Sequence, residues 1–281
     1  MPMNRFIKAF LTYAVIAAAF PVGAQQTGSG EEDPYFLLAD EASKAIDVGD
    51  YQQAAERLRE AIAMRPDEPQ TVLLMSNLGM VYSYMGQDSL AIATFDAALE
   101  KAPSMRTVQT NRASILIRNG RAAEAYSDLT KIIEADSANV EARYLHGILS
   151  LSLSDLETAE ADLRVLANAE PESLRTAACM SALLSALDRH AEATPFLQRL
   201  AEQSGEAEDY AALAINYIEL GKLTDAGATI AEGLAKHPDS GELYLSRAKL
   251  NQARYDYPAA KADARKAESL GIDLSRLRDF K

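Results

Sequence analysis

The chain has few residues that could do chemistry, and their spacing forms no familiar catalytic or metal-binding pattern. His146, His190 and His237 lie too far apart in sequence to form a short metal-ligand pair, and no glycine-rich phosphate loop occurs. Ser185 and Asp188 lie close to His190, but all three fall at one predicted turn, whereas a catalytic triad is held by separate rigid elements. The sequence therefore predicts a protein that is not an enzyme and holds no metal or cofactor.

The single cysteine and the charge balance narrow the class of protein further. Cys179 lies among Ala and Met residues of a predicted helix, where we expect it to pack as a small hydrophobic side chain. The formal net charge of −13 over 281 residues opposes nucleic acid or an anionic membrane as the main partner. Because 48% of the residues are hydrophobic and only 7% are aromatic, a core of helices packed on helices is favoured.

The first 24 residues have the features of a secretory signal. A short basic region precedes an apolar stretch over residues 9–20, Pro21 ends that stretch, and small residues follow up to Ala24. Cleavage after Ala24 would export the protein, and we expect a periplasmic location. A secreted protein and an uncleaved membrane anchor are the alternatives, although the apolar stretch is short for a span. Residues 25–34 are rich in small polar and acidic residues, which indicates a flexible acidic leader.

A repeat of about 34 residues occupies the rest of the chain. The prolines that close its units are separated by 37, 68 and 67 residues: Pro66, Pro103, Pro171 and Pro238. Glycines recur 17 residues before the closing position, where a helix would end with a left-handed residue: Gly49, Gly86, Gly120 and Gly221. Apolar residues before Gly86 follow helical spacing: Met75, Leu78, Gly79 and Tyr82. Each unit is therefore predicted to be a helical hairpin.

These units resemble the tetratricopeptide repeat family, whose first helix carries a bulky residue, Leu, Gly and Tyr, and whose second carries Ala, Phe, Ala and Pro. Residues 72–105 match that pattern best. The resemblance implies an all-α, right-handed superhelical solenoid over residues 35–274, followed by a short C-terminal cap at 275–281. Its seven units are placed at 35–71, 72–105, 106–139, 140–173, 174–206, 207–240 and 241–274.

Two places in the repeat array raise open questions. Thr194 and Pro195 fall inside the expected second helix of the fifth unit, and Pro has no amide hydrogen to donate. Either that helix starts late, with Thr194 as its cap, or it kinks. At the C-terminus, the residues after the last hairpin are few, so we expect an exposed apolar end there that meets a partner or a second copy.

The resemblance also implies a concave groove lined by the first helices of the units. The residues predicted to line this groove or its rim are mostly uncharged: Leu73, Ser76, Met80, Tyr84, Thr107, Thr110, Ser114, Arg118, Glu141, Tyr144, Ile148 and Arg175. Such a strip fits an apolar or helical segment of another protein. Asn77 and Asn111 lie beside it, and either hydrogen bonding between helices or ligand contact would explain them.

The sequence thus predicts a non-enzymatic scaffold that binds a segment of a partner protein in the cell envelope. The alternative is a structural module that self-associates through its ends as a homo-oligomer. Residues 25–105 carry a net charge of −9 and residues 241–281 a net charge of +3, which would suit head-to-tail contact. Ordinary solvated helix faces explain the same charges.

Overall fold

The computed structural model describes residues 33–280, and all regular structure within them is helical. Fourteen α-helices and one short 3-10 helix occur there, without a strand, which confirms the predicted all-α class. The predicted signal at 1–24 and nearly all of the leader lie outside the described residues. The chain divides into two compact units between Leu153 and Ser154, a position inside the predicted fourth repeat.

The first compact unit contains seven helices that pack on one another in chain order. They are α1 (Pro34–Asp47), α2 (Tyr51–Met64), α3 (Thr71–Tyr84), α4 (Asp88–Lys101), α5 (Arg106–Arg118), α6 (Ala122–Ala135) and α7 (Val140–Ser152). Three hairpins, α1 with α2, α3 with α4 and α5 with α6, precede α7 in this unit.

Side-chain caps and turn glycines determine where several of these helices begin and end. Asp33 and Asp50 cap α1 and α2, since their side chains accept hydrogen bonds from the amides of Tyr35 and Gln53 at 3.1 and 3.0 Å. The three turns inside the hairpins of this unit each contain a glycine with positive φ: Gly49, Gly86 and Gly120. The prediction of left-handed residues at these turns is therefore confirmed.

The core of the first unit depends on small residues where helices touch. Ala54, Leu58 and Ala61 of α2 are buried against α1 and α3. At the joint of α3 and α4, a Cβ atom built on Gly79 would lie 2.6 Å from Cε1 of Phe95. The ring of Phe95 therefore occupies the space that a side chain at position 79 would need, as expected for closely packed helices.

The second compact unit contains seven helices and the 3-10 helix. They are α8 (Leu156–Ala169), α9 (Leu174–Ala186), α10 (His190–Gln203), α11 (Ala207–Glu219), α12 (Leu223–Lys236), α13 (Gly241–Ala253), α14 (Tyr257–Ser269) and η1 (Leu274–Phe280). Successive helices pack on one another, with hairpins α9 with α10, α11 with α12 and α13 with α14.

Pro195 lies inside α10, which runs without interruption from His190 to Gln203. The proposal that this helix starts late, with Thr194 as its cap, is therefore wrong. Thr194 has a different role, since its hydroxyl donates to the carbonyl of His190 at 3.0 Å and accepts from Nδ2 of Asn216 in α11 at 2.9 Å. These contacts and the burial of Leu197 hold the helix together through the proline.

The C-terminal segment covers one side of the last hairpin, and the expected exposed apolar end that meets a partner stays a prediction. Leu277 of η1 is buried and packs with Leu245, Ala248 and Ala264 of the last hairpin. Ile272 and Phe280 lie partly buried against the same cluster. The short 3-10 helix can cover this cluster because the cluster consists largely of alanine, which leaves a small area to bury.

Candidate interaction surface

The first helices of successive repeats lie side by side in the first compact unit. Helix α5 contacts both α3 and α7 directly, in addition to the second helices on either side of it. Leu73, Thr107 and Glu141 recur every 34 residues, each near the beginning of one of these three helices, and each is partly exposed. They therefore mark one continuous row across neighbouring helices.

Five of the twelve predicted groove residues are buried, so the prediction that they line an accessible surface is wrong. Their exposed fractions are 9% or less: Ser76, Met80, Ser114, Tyr144 and Ile148. From helical periodicity, these residues were predicted to lie next to the buried apolar face of each first helix. Because the first helices pack on each other as well as on the second helices, the side next to that apolar face is buried as well.

The buried hydroxyl groups are used inside the fold. Nδ2 of Asn111 donates to the hydroxyl of Ser76 at 3.2 Å, and the hydroxyl of Ser114 donates to the carbonyl of Asn111 at 2.7 Å. Asn111 thus joins α5 to α3. The open question about this residue is answered in favour of an interhelical hydrogen bond, which a buried amide requires.

Six predicted residues remain partly or fully exposed in the first compact unit, and we call them the first-helix surface: Leu73, Tyr84, Thr107, Thr110, Arg118 and Glu141. The twelfth residue, Arg175, lies in the second compact unit. Its Nε donates to Oε2 of Glu170 at 2.7 Å, and this hydrogen bond is the main reason that the pKa of Glu170 lies below its usual value.

An aromatic pair and an arginine lie at one end of the first-helix surface. The ring of Tyr84 stacks on that of Tyr51, with centroids 5.1 Å apart, and Tyr84 is 42% exposed. Nη2 of Arg118 donates to Oδ1 of Asp88 at 2.6 Å and to the hydroxyl of Ser83. Partial burial, with a smaller effect of Tyr51, raises the pKa of Tyr84, so its hydroxyl stays protonated at neutral pH.

This cluster combines two residue types that dominate binding energy at protein interfaces, Tyr and Arg. The guanidinium of Arg118 is held in place by two acceptors, so it loses little freedom when a partner binds. Sequence reasoning named Tyr84 and Arg118 but missed Tyr51, the first residue of a second helix. No sequence signal pointed to Tyr51, because only the packing of α2 beside α3 brings the two rings together.

The residues considered for catalysis include no closely held His–Asp pair and no reactive thiolate. Nε2 of His190 lies 3.9 Å from Oδ1 of Asp188, whose side chain is 93% exposed at the turn. Burial raises the pKa of Cys179 to about 12, so this residue carries a thiol and not a nucleophilic thiolate.

Within residues 33–280, no three His, Cys, Asp or Glu side chains come together as a metal site. None of the helices there is both long and apolar enough to cross a membrane.

Helical hairpins that recur about every 34 residues and expose a row of first-helix side chains define a helical-repeat protein of the class that binds other proteins. Residues 40–104 and 76–139 match the tetratricopeptide repeat family, so this part of the chain carries tetratricopeptide repeats. A sequence relative is the photosystem I assembly protein Ycf3 of Prochlorococcus marinus (strain MIT 9301). It is 24% identical over 129 residues, which cover 46% of this chain and 75% of the relative.

Solved structures show the same fold. A tetratricopeptide repeat protein from Parabacteroides merdae ATCC 43184 superposes with a TM-score of 0.63 at 25% identity, covering 88% of this chain and 97% of that one. PilW, described as a widely conserved type IV pilus biogenesis factor, superposes with a TM-score of 0.65 at 21% identity, covering 76% of this chain and 98% of PilW.

Proposed function

We propose that the protein is a non-enzymatic scaffold that binds a segment of a partner protein on its first-helix surface. The observation that carries this proposal is the exposed stack of Tyr84 on Tyr51 beside an arginine that two acceptors hold in place. A rigid aromatic pair offers a large contact area at a small cost in conformational entropy.

The exposed side chains define the chemistry of the partner segment. Leu73 and the Tyr84 ring offer apolar contact, Thr107 and Thr110 offer hydroxyl groups, and the charged groups of Arg118 and Glu141 lie in the same row of helices. An amphipathic segment, helical or extended, fits this mixture better than a wholly apolar one. The burial of Met80 and Ile148 removes most of the apolar area that sequence analysis assigned to the surface.

We place this scaffold in the cell envelope, and the N-terminal sequence supports that location through its basic region, apolar stretch and small residues before Ala24. The names of two similar proteins describe photosystem I assembly and pilus biogenesis. Both are processes in which one protein helps others to assemble, and a role in assembling an envelope complex would agree with them. Cell fractionation and N-terminal sequencing of the mature protein test the location; a mature chain that retains Met1 would contradict cleavage.

Site-specific photocrosslinking tests the binding surface directly. A photoreactive phenylalanine analogue replaces Thr110 on the first-helix surface, and a matched variant replaces Ser127, which is exposed on the second helix α6. In native envelopes, Thr110 should give a discrete adduct that mass spectrometry can identify, and Ser127 should not. Equal adducts from both positions, or adducts from Ser127 alone, would contradict the proposal.

A matched pair of charge variants then measures affinity for the partner so identified. Thr107→Glu with Thr110→Glu adds two carboxylates to the first-helix surface, and should weaken binding by about tenfold or more because the added carboxylates must be desolvated. Ala93→Glu with Ser127→Glu adds the same charge to exposed positions of α4 and α6. Isothermal titration calorimetry should show little change for this second variant.

A further inference from the structure

The turn between α13 and α14 exposes an aromatic residue in a strained backbone conformation. Tyr255 has a φ of +62° and is 79% exposed. The left-handed region costs a bulky L-residue free energy that glycine does not lose, and the glycines at four other hairpin turns show how this cost is avoided. The Tyr255 ring lies in solvent, so packing within the described residues does not offset the strain.

A second exposed aromatic ring lies beside this turn. Tyr257, the first residue of α14, is 60% exposed. Of the described side chains, few large hydrophobic ones are as exposed as these two tyrosines, which are separated by one residue. Exposed Tyr side chains that cluster are typical anchors of protein interfaces, because each ring joins apolar area with a hydroxyl group.

Uncompensated positive charge continues from Tyr257 along the outer side of α14. Ala260, Ala264 and Ala267 form the buried side of the helix, and Lys261 and Arg265 lie exposed on successive turns. Within the described part of the chain, neither cation has a hydrogen-bond or ion-pair partner.

Other cations of the same region are already engaged. Arg247 donates two hydrogen bonds to Asp263, at 2.9 and 2.6 Å, and Arg276 pairs with Glu242. The acidic residue next to Tyr257, Asp256, caps α14 by accepting from the amide of Ala259 at 3.1 Å. Residues 241–281 carry a net charge of +3 in a chain whose net charge is −13, so this surface differs in sign from the molecule as a whole.

We propose that Tyr255, Tyr257, Lys261 and Arg265, here called the terminal patch, form a second docking surface that binds an acidic peptide segment of a partner protein. The two tyrosines pack on the aliphatic parts of the segment, and the two cations form charge-assisted hydrogen bonds with its carboxylates. Charge complementarity selects this occupant, because the rest of the strongly acidic molecule repels such a segment. The terminal patch belongs to the second compact unit and shares no residue with the first-helix surface.

Binding of a defined probe to the full mature chain tests this proposal. The probe is a fluorescein-labelled peptide of Glu-Glu-Leu repeats, with an uncharged Gln-Gln-Leu peptide of the same length as control. Fluorescence anisotropy at low salt should show saturable binding of the acidic peptide that weakens as salt rises. Lys261→Glu with Arg265→Glu should weaken it by about tenfold or more, while the same reversal at Arg59 and Lys131, both exposed in the first compact unit, should not.

Tyr255→Gly separates binding from folding, because the two effects have opposite signs. Glycine relieves the strain at φ +62°, so the melting temperature should rise, while loss of the ring should weaken peptide binding by about tenfold. A variant that is more stable and binds equally well would overturn the proposal. So would failure of the wild-type chain to bind the acidic peptide, or binding to vesicles of anionic phospholipid in its place. The glutamate variants at Thr107 and Thr110 should leave this binding unchanged, so the two surfaces are tested independently.

Discussion

The two compact units close their hairpins with the same backbone conformation, but glycine adopts it at every hairpin turn of the first unit and at only one of the three in the second. In the first unit the turns contain Gly49, Gly86 and Gly120, with φ between 72° and 77°. In the second unit Gly221 has a φ of 70° at one turn, while Asp188 and Tyr255 have φ values of 56° and 62° at the other two. The left-handed conformation is therefore imposed by the geometry of the hairpin, and glycine is only the residue that adopts it without strain.

Glycines fit close helix joints in both units. Gly79 of the first unit fits the ring of Phe95, and Gly233 of the second unit fits Leu243 and Tyr210. In the second unit α10 contains Pro195 and still forms a continuous helix. The comparison teaches that packing of the apolar face holds a helix in place even where one of its residues is locally unfavourable.

The largest effect is expected at the joint of α3 and α4. Gly79→Ala would place a Cβ atom 2.6 Å from Phe95, which is fully buried and cannot move aside, so the free energy of unfolding should fall by about 1–3 kcal/mol. Urea denaturation measures this change in the free energy of unfolding. Gly227→Ala is the matched control in the second unit, because its nearest atom, at 3.0 Å, is the flexible end of Arg254. Equal losses in both variants would show that the contact with Phe95 is not the cause of the loss at position 79.

Pro195→Ala should stabilise the second unit. It restores an amide that can donate within α10, and we expect a gain of about 2 kcal/mol after allowing for the greater freedom of the unfolded chain. Thermal unfolding followed by circular dichroism measures the change. Glu202→Ala, at an exposed position two turns later in the same helix, is the control for helix propensity. A variant less stable than wild type would mean that α10 needs the proline.

Asp188→Gly should give a smaller gain, about 0.5–1 kcal/mol, because glycine adopts φ near 56° without a Cβ penalty and Asp tolerates this region better than most residues. The reciprocal change, Gly86→Asp in the first unit, should lose a similar amount. Chemical denaturation of both variants tests whether the two turns are interchangeable. Changes of the same sign would show that the two turns do not share the same conformational requirement.

The smallest expected effect is a change in the pH dependence of stability. Burial raises the pKa of Asp128 above its ordinary value despite the hydrogen bond from Nη1 of Arg112 at 2.6 Å. A carboxyl group with a raised pKa in the folded state stabilises the fold at low pH and loses that contribution as pH rises through the folded pKa. The stability of wild type relative to Asp128→Asn should therefore decrease from about pH 4 towards neutrality.

Glu124 is the control for this pH effect, because its pKa is shifted in the opposite direction to that of Asp128. Hydrogen bonds from Arg121 lower the pKa of Glu124, so its contribution is present above the ordinary Glu pKa and is lost as pH falls. Relative to Glu124→Gln, wild type should gain a little stability as pH rises, and the gain is small because the side chain is exposed. Parallel slopes for the two pairs of proteins, measured by thermal unfolding across pH, would contradict these assignments.

Much of the fold could be predicted because its signals are local. Spacing of apolar residues in α3, capping by Asp50 and glycine at position 86 each act within a few residues of the chain. The interaction surface was predicted less well. Ser76, Met80 and Ser114 follow the pattern of an exposed stripe, yet neighbouring first helices cover them.

The sequence by itself determined that this chain forms helical hairpins in a repeat of about 34 residues, because helical period, turn glycines and small residues at joints are encoded along the chain. Only the tertiary structure decided which stripe of each first helix stays open, that Tyr51 stacks on Tyr84, and that Tyr255 is held strained in solvent. The physical reason is that burial and side-chain pairing depend on how closely helices distant in sequence approach one another, and periodicity within one helix carries no measure of that distance.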